Sequence, residues 1–193
     1  MPRAGLNRDA VVAAALAIID DGGPEALTLA AVAARTGVAT PSLYKHVKNL
    51  GELRNLLAVR LFDEFTDRAT RAVLGRSRDE AVEALMRAYH EYATEHPHRY
   101  AIVPQRPDPD PAVQAAGERF VALFFAVLKG YGLDDDELVH ATRVARATLH
   151  GFAMLQIGGG FGLPQDVAVT HQRLIDTVLA GLRATRGGAG SAS

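Results

Sequence analysis

The stretch Leu27-Thr28-Leu29-Ala30-Ala31-Val32-Ala33-Ala34-Arg35-Thr36-Gly37-Val38-Ala39-Thr40-Pro41-Ser42-Leu43-Tyr44-Lys45-His46-Val47 reads as two short helices with a sharp turn between them. Thr28 is a helix-capping residue type, because its hydroxyl accepts a bond from an otherwise orphaned N–H of the first turn. Leu29, Val32 and Ala33 recur at helical spacing, so the first helix is expected from Thr28 to about Thr36. Gly37 ends it, since glycine enters the left-handed region without a Cβ penalty. Thr40 is expected to cap the second helix, with Pro41 in its first position, where a missing N–H costs nothing. That helix is expected to end near His46 or Val47, with Leu43 and Val47 facing inward. Thr40, Ser42, Tyr44, Lys45 and His46 then face outward. The spacing is that of a helix-turn-helix. A tyrosine beside Lys and His suits a major groove, where hydroxyls and ring edges meet bases and phosphates. The same residues also occur on ordinary solvated surfaces.

The flanking sequence is helical throughout, and no segment alternates with period two. A first helix is expected over Arg8 to Asp21, capped by Asn7, with Val11, Val12, Ala15, Leu16, Ile18 and Ile19 as its apolar stripe. Asn49 with Glu52, and Ser77 with Glu80, have capping-box spacing and open helices to about Ala72 and His96. Pro97 breaks the second of these, leaving a short turn around Arg99 to Val103. Pro104 to Pro111 is a loop. Ala112 to Tyr131 is apolar almost all round, which places it centrally. Asp134 and Glu137 open a helix to Ile157, which Gly158-Gly159-Gly160 ends. The last helix is expected over Gln165 to Ala184, and the tail Gly187 to Ser193 is expected to fray. The fold class is all-α, with about nine helices.

The chain has 193 residues and no cysteine. That excludes disulfide scaffolds, thiolate metal sites and thiol nucleophiles. No apolar run reaches the roughly 18 residues of a membrane span, and the N-terminus lacks the apolar core of a signal peptide. A cytoplasmic location without membrane attachment is expected. The net charge of -1 argues at first against nucleic acid. It is unevenly spread. Residues 35–60 hold five basic residues (Arg35, Lys45, Lys48, Arg54, Arg60) against Glu52, a local +4, while residues 78–193 sum to -3.

The quoted stretch, with Lys48 and Asn49 after it, resembles the DNA-binding signature of the TetR (tetracycline-repressor-like) family. The resemblance extends upstream into the Arg8 helix and downstream into the Leu50 helix. It implies an all-helical homodimer with a DNA-binding domain at 1–49 and a ligand-binding and dimerisation domain at 50–193. It implies a phosphate contact for Thr28, and a recognition helix carrying Thr40, Pro41, Ser42, Tyr44, Lys45 and His46, with Lys48 just beyond. Two positions depart from the family pattern. Leu50 stands where a phosphate-contacting Lys is frequent, and Ala30 where some members carry a base-reading Arg. His150-Gly151-Phe152 followed by Gly158 to Pro164 resembles a narrower C-terminal type built on Trp…His-Gly. The Trp is missing, and Arg146 lies near its expected place.

The expected effector site is apolar, drawn from the aromatic residues of the C-terminal half. Tyr89, Tyr92, Phe120, Phe124, His150 and Met154 are its assigned lining, with His90 and Gln156 as further polar candidates. Phe125, Phe152 and Phe161 belong to the same aromatic set. The effector is expected to be small and lipophilic. Small residues on the last two helices (Ala141, Ala145, Ala147, Gly151, Ala180, Gly181) allow close helix approach, and the resemblance implies a homodimer through those helices. Glu137-x-x-His140 occurs once, whereas di-iron bundles need it on two helices, so no metal or cofactor is expected. No catalytic residues are expected either. The sequence holds neither a phosphate loop nor a nucleophile elbow. The reading is a repressor of double-stranded operator DNA, the operator palindromic and the effector releasing it. The alternative is a helical metal- or small-molecule-binding enzyme with an incidental helix-turn-helix.

Overall fold

A computed structural model describes residues 6–188 of the chain. Among them are nine α-helices and no strand: α1 (Arg8–Gly22), α2 (Leu29–Thr36), α3 (Thr40–Leu43), α4 (Leu50–Val73), α5 (Arg78–Glu95), α6 (Pro97–Tyr100), α7 (Pro111–Leu128), α8 (Asp135–Ile157) and α9 (Val167–Gly188). Short 3-10 turns cover Pro24–Ala26 and Lys129–Tyr131. α9 runs past the expected Ala184 to Gly188; the rest of the tail expected to fray, 189–193, lies outside the described residues.

The chain forms two compact units, Met1–Glu64 with His96–Gly117, and Phe65–Glu95 with Glu118–Ser193. α4 and α7 each contribute to both.

The first unit is built on α1. Asn7 caps it, its side-chain oxygen accepting from the Ala10 N–H at 2.8 Å. Val11, Ala15 and Ile19 are fully buried, and Val32, Leu43, Val47, Leu53, Leu57 and Leu61 join them in one apolar cluster. α6 and the loop after it belong to this unit. The Arg99 guanidinium bonds both Asp20 carboxylate oxygens at 2.7 and 2.6 Å and reaches Glu64 at 3.1 Å. Asn55 donates to Asp110 at 2.9 Å. α6 begins at Pro97, two residues before the expected turn, because proline is preorganised for a first helical turn.

The second unit centres on Phe65. Tyr89, Tyr92 and Phe120 meet its ring edge-on, with centroids 4.9, 4.8 and 5.0 Å away. Phe124 lies 5.3 Å from Phe120 and is fully buried. Asp134 caps α8, accepting from the Glu137 N–H at 2.9 Å. Asp79 accepts from the Tyr131 hydroxyl at 2.5 Å and from Arg183 of α9 at 2.9 Å.

α7 differs from its expected central position. Val113, Ala116, Phe120, Phe124, Val127 and Leu128 are buried at helical spacing, but Ala112, Ala115, Ala122 and Ala126 face solvent. Alanine counts as apolar while exposing so little surface that it favours neither side, so an alanine-rich face looks buried when it is not. The stretch Pro111–Tyr131 has mean hydropathy 1.3 and is, among the described residues, the one helical stretch long and apolar enough to cross a membrane by length and composition. One face of it packs in the protein instead.

Candidate nucleic-acid interface

Thr28 caps α2 as expected, accepting from the Ala31 N–H at 3.0 Å. Gly37 ends it in the left-handed region at φ 70°. The next N–H, of Val38, bonds back to the Ala33 carbonyl at 3.1 Å, and Val38 packs on the apolar cluster. This closing bond turns the chain sharply into α3.

α3 is shorter than expected, and its cap differs. Ala39 is the N-cap residue, with Thr40 and Pro41 in the first helical turn, so the Thr40 hydroxyl makes no capping bond. The α-helix stops at Leu43 rather than near His46. The Leu43 carbonyl then accepts from both His46 and Val47 at 2.8 and 3.0 Å, which tightens the last turn. The reason is space: the few residues between Leu43 and Leu50 must close one helix and cap the next. The Asn49 side chain accepts from the Glu52 N–H at 2.8 Å, while the Glu52 carboxylate accepts from the Lys48 N–H at 2.6 Å. This is a capping box with its return bond one residue earlier than usual. Arg8 also pairs with Glu52.

Leu43 and Val47 hold this turn from below, at 0% and 1% exposure. Tyr44 is 55% exposed, an unusual position for a large aromatic ring. Pro41, Lys45 and Lys48 are exposed, and Thr40, Ser42 and His46 half-buried, so the helix-turn-helix brings these side chains to one segment of the surface. Thr28 is exposed at the start of α2.

The local positive charge is reshaped by pairing. Arg35 bonds Asp21 at 2.6 Å and Arg60 bonds Glu64 at 2.8 Å, both carboxylates lying outside the segment counted in sequence. Lys45, Lys48 and Arg54 are exposed and enter no ion pair among the described residues. Arg54 counts among the five basic residues of the segment but falls outside the motif. It sits one turn into α4, beyond the signature, and only its lack of a carboxylate partner marks it out.

The residues assigned to the effector site separate into two groups. Tyr89, Tyr92, Phe120 and Phe124 are buried together around Phe65. His150 is half-buried on α8, and Met154 is 45% exposed there. Arg146 places its guanidinium over the Phe120 ring at 5.8 Å. Burial, with the Arg146 charge, pulls the His150 pKa below its ordinary value.

A histidine pair that no sequence motif marked lies in the same unit. His90 and His171 stack with centroids 4.1 Å apart, and Phe152 packs on both. His90 Nε2 shares a hydrogen with Gln156 Oε1 at 2.7 Å, whereas His171 Nε2 is buried without a partner. Burial, with His90 and Arg87 nearby, pushes the His171 pKa from 6.5 to about 4. The folded state therefore resists protonation that the unfolded chain accepts. Stability is expected to be complete above pH 6.5 and to fall towards pH 4 by up to about 3 kcal/mol. Asp20 and Asp79, held low by Arg99 and by Tyr131 with Arg183, act only below the ordinary carboxylate range. Urea unfolding across this window checks the expectation, and His171→Gln is expected to reduce the fall to the part that His150 contributes.

Comparison with known proteins gives a consistent picture. The family described as "Bacterial regulatory proteins, tetR family" matches residues 11–53, and "Tetracyclin repressor-like, C-terminal domain" matches residues 82–178. An HTH-type transcriptional regulator of Mycobacterium tuberculosis is 36% identical, across 97% of this chain and 88% of its own. A solved protein of unknown function from Rhodococcus sp. RHA1 superposes with TM-score 0.83 at 25% identity, covering 94% of this chain and 98% of its own. A TetR variant from Acinetobacter baumannii, solved in complex with minocycline, shares the fold with TM-score 0.72 at 20% identity, over 94% of this chain and 98% of its own.

Proposed function

Because this chain belongs to the TetR family of bacterial transcriptional regulators, we propose that it is a ligand-responsive repressor that binds a palindromic operator as a homodimer. A small lipophilic effector releases it. The observation that carries the reading is the surface over Thr40 to Lys48, where Tyr44 is exposed and the Lys45 and Lys48 ammonium groups enter no ion pair among the described residues. Residues 1–49 read DNA, with Thr28, Lys45 and Lys48 on phosphates and Tyr44 on base edges. Residues 50–193 bind effector and partner. The protein works in the cytoplasm, where its DNA is, and performs no catalysis.

A groove of about 620 Å³ along α8 and α9 supports dimerisation through these helices. Ala141, Val144, Leu174, Val178 and Gly181 line it. Val144 is 57% exposed there, a poor arrangement for a lone chain and a good one for a helix bundle shared by two copies. Two-fold symmetry then sets the half-sites roughly 34 Å apart or slightly more. A lipophilic effector seated among the aromatic residues assigned to its site has to part the edge-on packing around Phe65. For release, the effector must bind the state with wrongly spaced reading heads better than the DNA-bound state.

Selection of bound sequences from random DNA is expected to return a palindrome. Tyr44→Ala is expected to weaken binding to that operator roughly tenfold or more while barely changing non-specific binding, since a lost base contact costs about 1–3 kcal/mol. A binding site without dyad symmetry, or unchanged operator affinity of the variant, would overturn the reading.

A further inference from the structure

The groove along α8 and α9 carries two full charges of opposite sign, and their positions bear on how a second copy docks. Its charged lining residues are Glu137, with His140 one turn on, and Arg173. Glu137 lies in the first turn of α8, and Arg173 in the first third of α9. Phe152, near the end of α8, packs on His171, near the start of α9, with ring centroids 5.2 Å apart, so the two helices run as antiparallel neighbours. The start of α8 therefore lies towards the end of α9, where Gly181 and Thr185 line the groove, and Arg173, two residues past His171, lies at the other end with Thr148 of the same lining. The two charges stand at opposite ends, roughly 17 Å apart at 1.5 Å of rise per residue. Neither enters an ion pair among the described residues. Between them the groove is lined by small and apolar side chains.

We infer that the second copy docks with its groove reversed end for end, so that Glu137 of each copy meets Arg173 of the other. The inference rests on the proposed homodimer and specifies its register. A two-fold axis perpendicular to the groove exchanges its ends and makes two identical Glu137–Arg173 pairs. An axis along the groove keeps the ends in place and sets Glu137 against Glu137 and Arg173 against Arg173. Both arrangements bury the same apolar strip, so the apolar contacts do not choose between them. The charges do, and like charges brought together at an interface are the stronger half of that choice. Because symmetry makes each contact twice, a modest preference per pair is squared in the dimer constant. The two charges thus also select a second copy of this chain over a related regulator that lacks them.

The test is sedimentation equilibrium of the full chain at about 0.1 M salt, where surface charges are still felt. Glu137→Arg and Arg173→Glu alone are each expected to weaken the dimer at least tenfold. The doubly substituted chain is expected to dimerise within about threefold of the original. An equimolar mixture of the two single variants is expected to form heterodimers, because every cross-pair is then complementary. That last measurement also shows that both variants are folded. If the single variants dimerise as tightly as the unsubstituted chain, or the double variant is as weak as the sum of the two, the reversed register is wrong and the homodimer stands. If the unsubstituted chain is monomeric at micromolar concentration, the homodimer itself fails, and the register with it.

Discussion

Alanine at Lys45, Lys48 and Arg54 together is expected to reduce the slope of log K against log salt by about 5 for the dimer, taking roughly 0.9 per neutralised phosphate and six cations over two reading heads. Affinity is expected to fall at least a hundredfold on operator and random DNA alike, because phosphate contacts carry no sequence information. The basis is pairing. These three cations are exposed and free of carboxylates among the described residues, whereas Arg35 and Arg60 are held by Asp21 and Glu64. An arginine already bonded to a carboxylate releases fewer counterions on binding and must give up its partner to reach a phosphate. Arg60→Ala is the control, and its slope should stay near that of the unsubstituted protein. Fluorescence anisotropy at four salt concentrations reads both quantities. An unchanged slope in the triple variant would mean that DNA meets another face.

Leu43→Ala is expected to destabilise the first unit by about 2–5 kcal/mol, the range for a buried leucine whose site cannot collapse fully. The regular part of α3 is four residues, too short to hold its shape alone. Leu43, at 0% exposure, is its one buried side chain, and Val47 seals the turn that follows. Removing Leu43 leaves a void in the apolar cluster it shares with Val32, Leu53 and Leu57, one residue before the exposed Tyr44. Operator binding should be lost along with stability, since total stability is only of the order of 5–15 kcal/mol. Ser42→Ala, half-buried one residue earlier, serves as the comparison and should unfold within about 0.5 kcal/mol of the parent. Differential scanning calorimetry with a matched gel shift separates the two. A melting temperature unaltered by Leu43→Ala would contradict the packing role.

Some of the candidate nucleic-acid surface is legible residue by residue, and some is not. Asn7, Thr28 and Asp134 cap their helices because each bond spans three residues, a distance the chain itself dictates. Gly37 turns the chain for an equally local reason. The end of α3 at Leu43 is not written locally, since Tyr44 to His46 have nothing in their own propensities to stop a helix. What stops it is the need to cap α4 within a few residues. The aromatic residues of the C-terminal half are recognisable as a set. Which of them meet is not, and Met154 and Phe124 look equally apolar in the sequence although one is 45% exposed and the other fully buried.

The sequence by itself determined the helical period, the caps, the turn at Gly37 and the family. All of these rest on interactions within about five positions of the chain. The tertiary structure decided which charges stay free, with Asp21 and Glu64 taking Arg35 and Arg60 out of the positive surface. It also decided which face of α7 is buried, where alanine had left both open. It stacked His171 on His90, 81 positions earlier in the chain. Electrostatic pairing and ring packing depend on distance in space, and no local pattern encodes a partner that far along the chain.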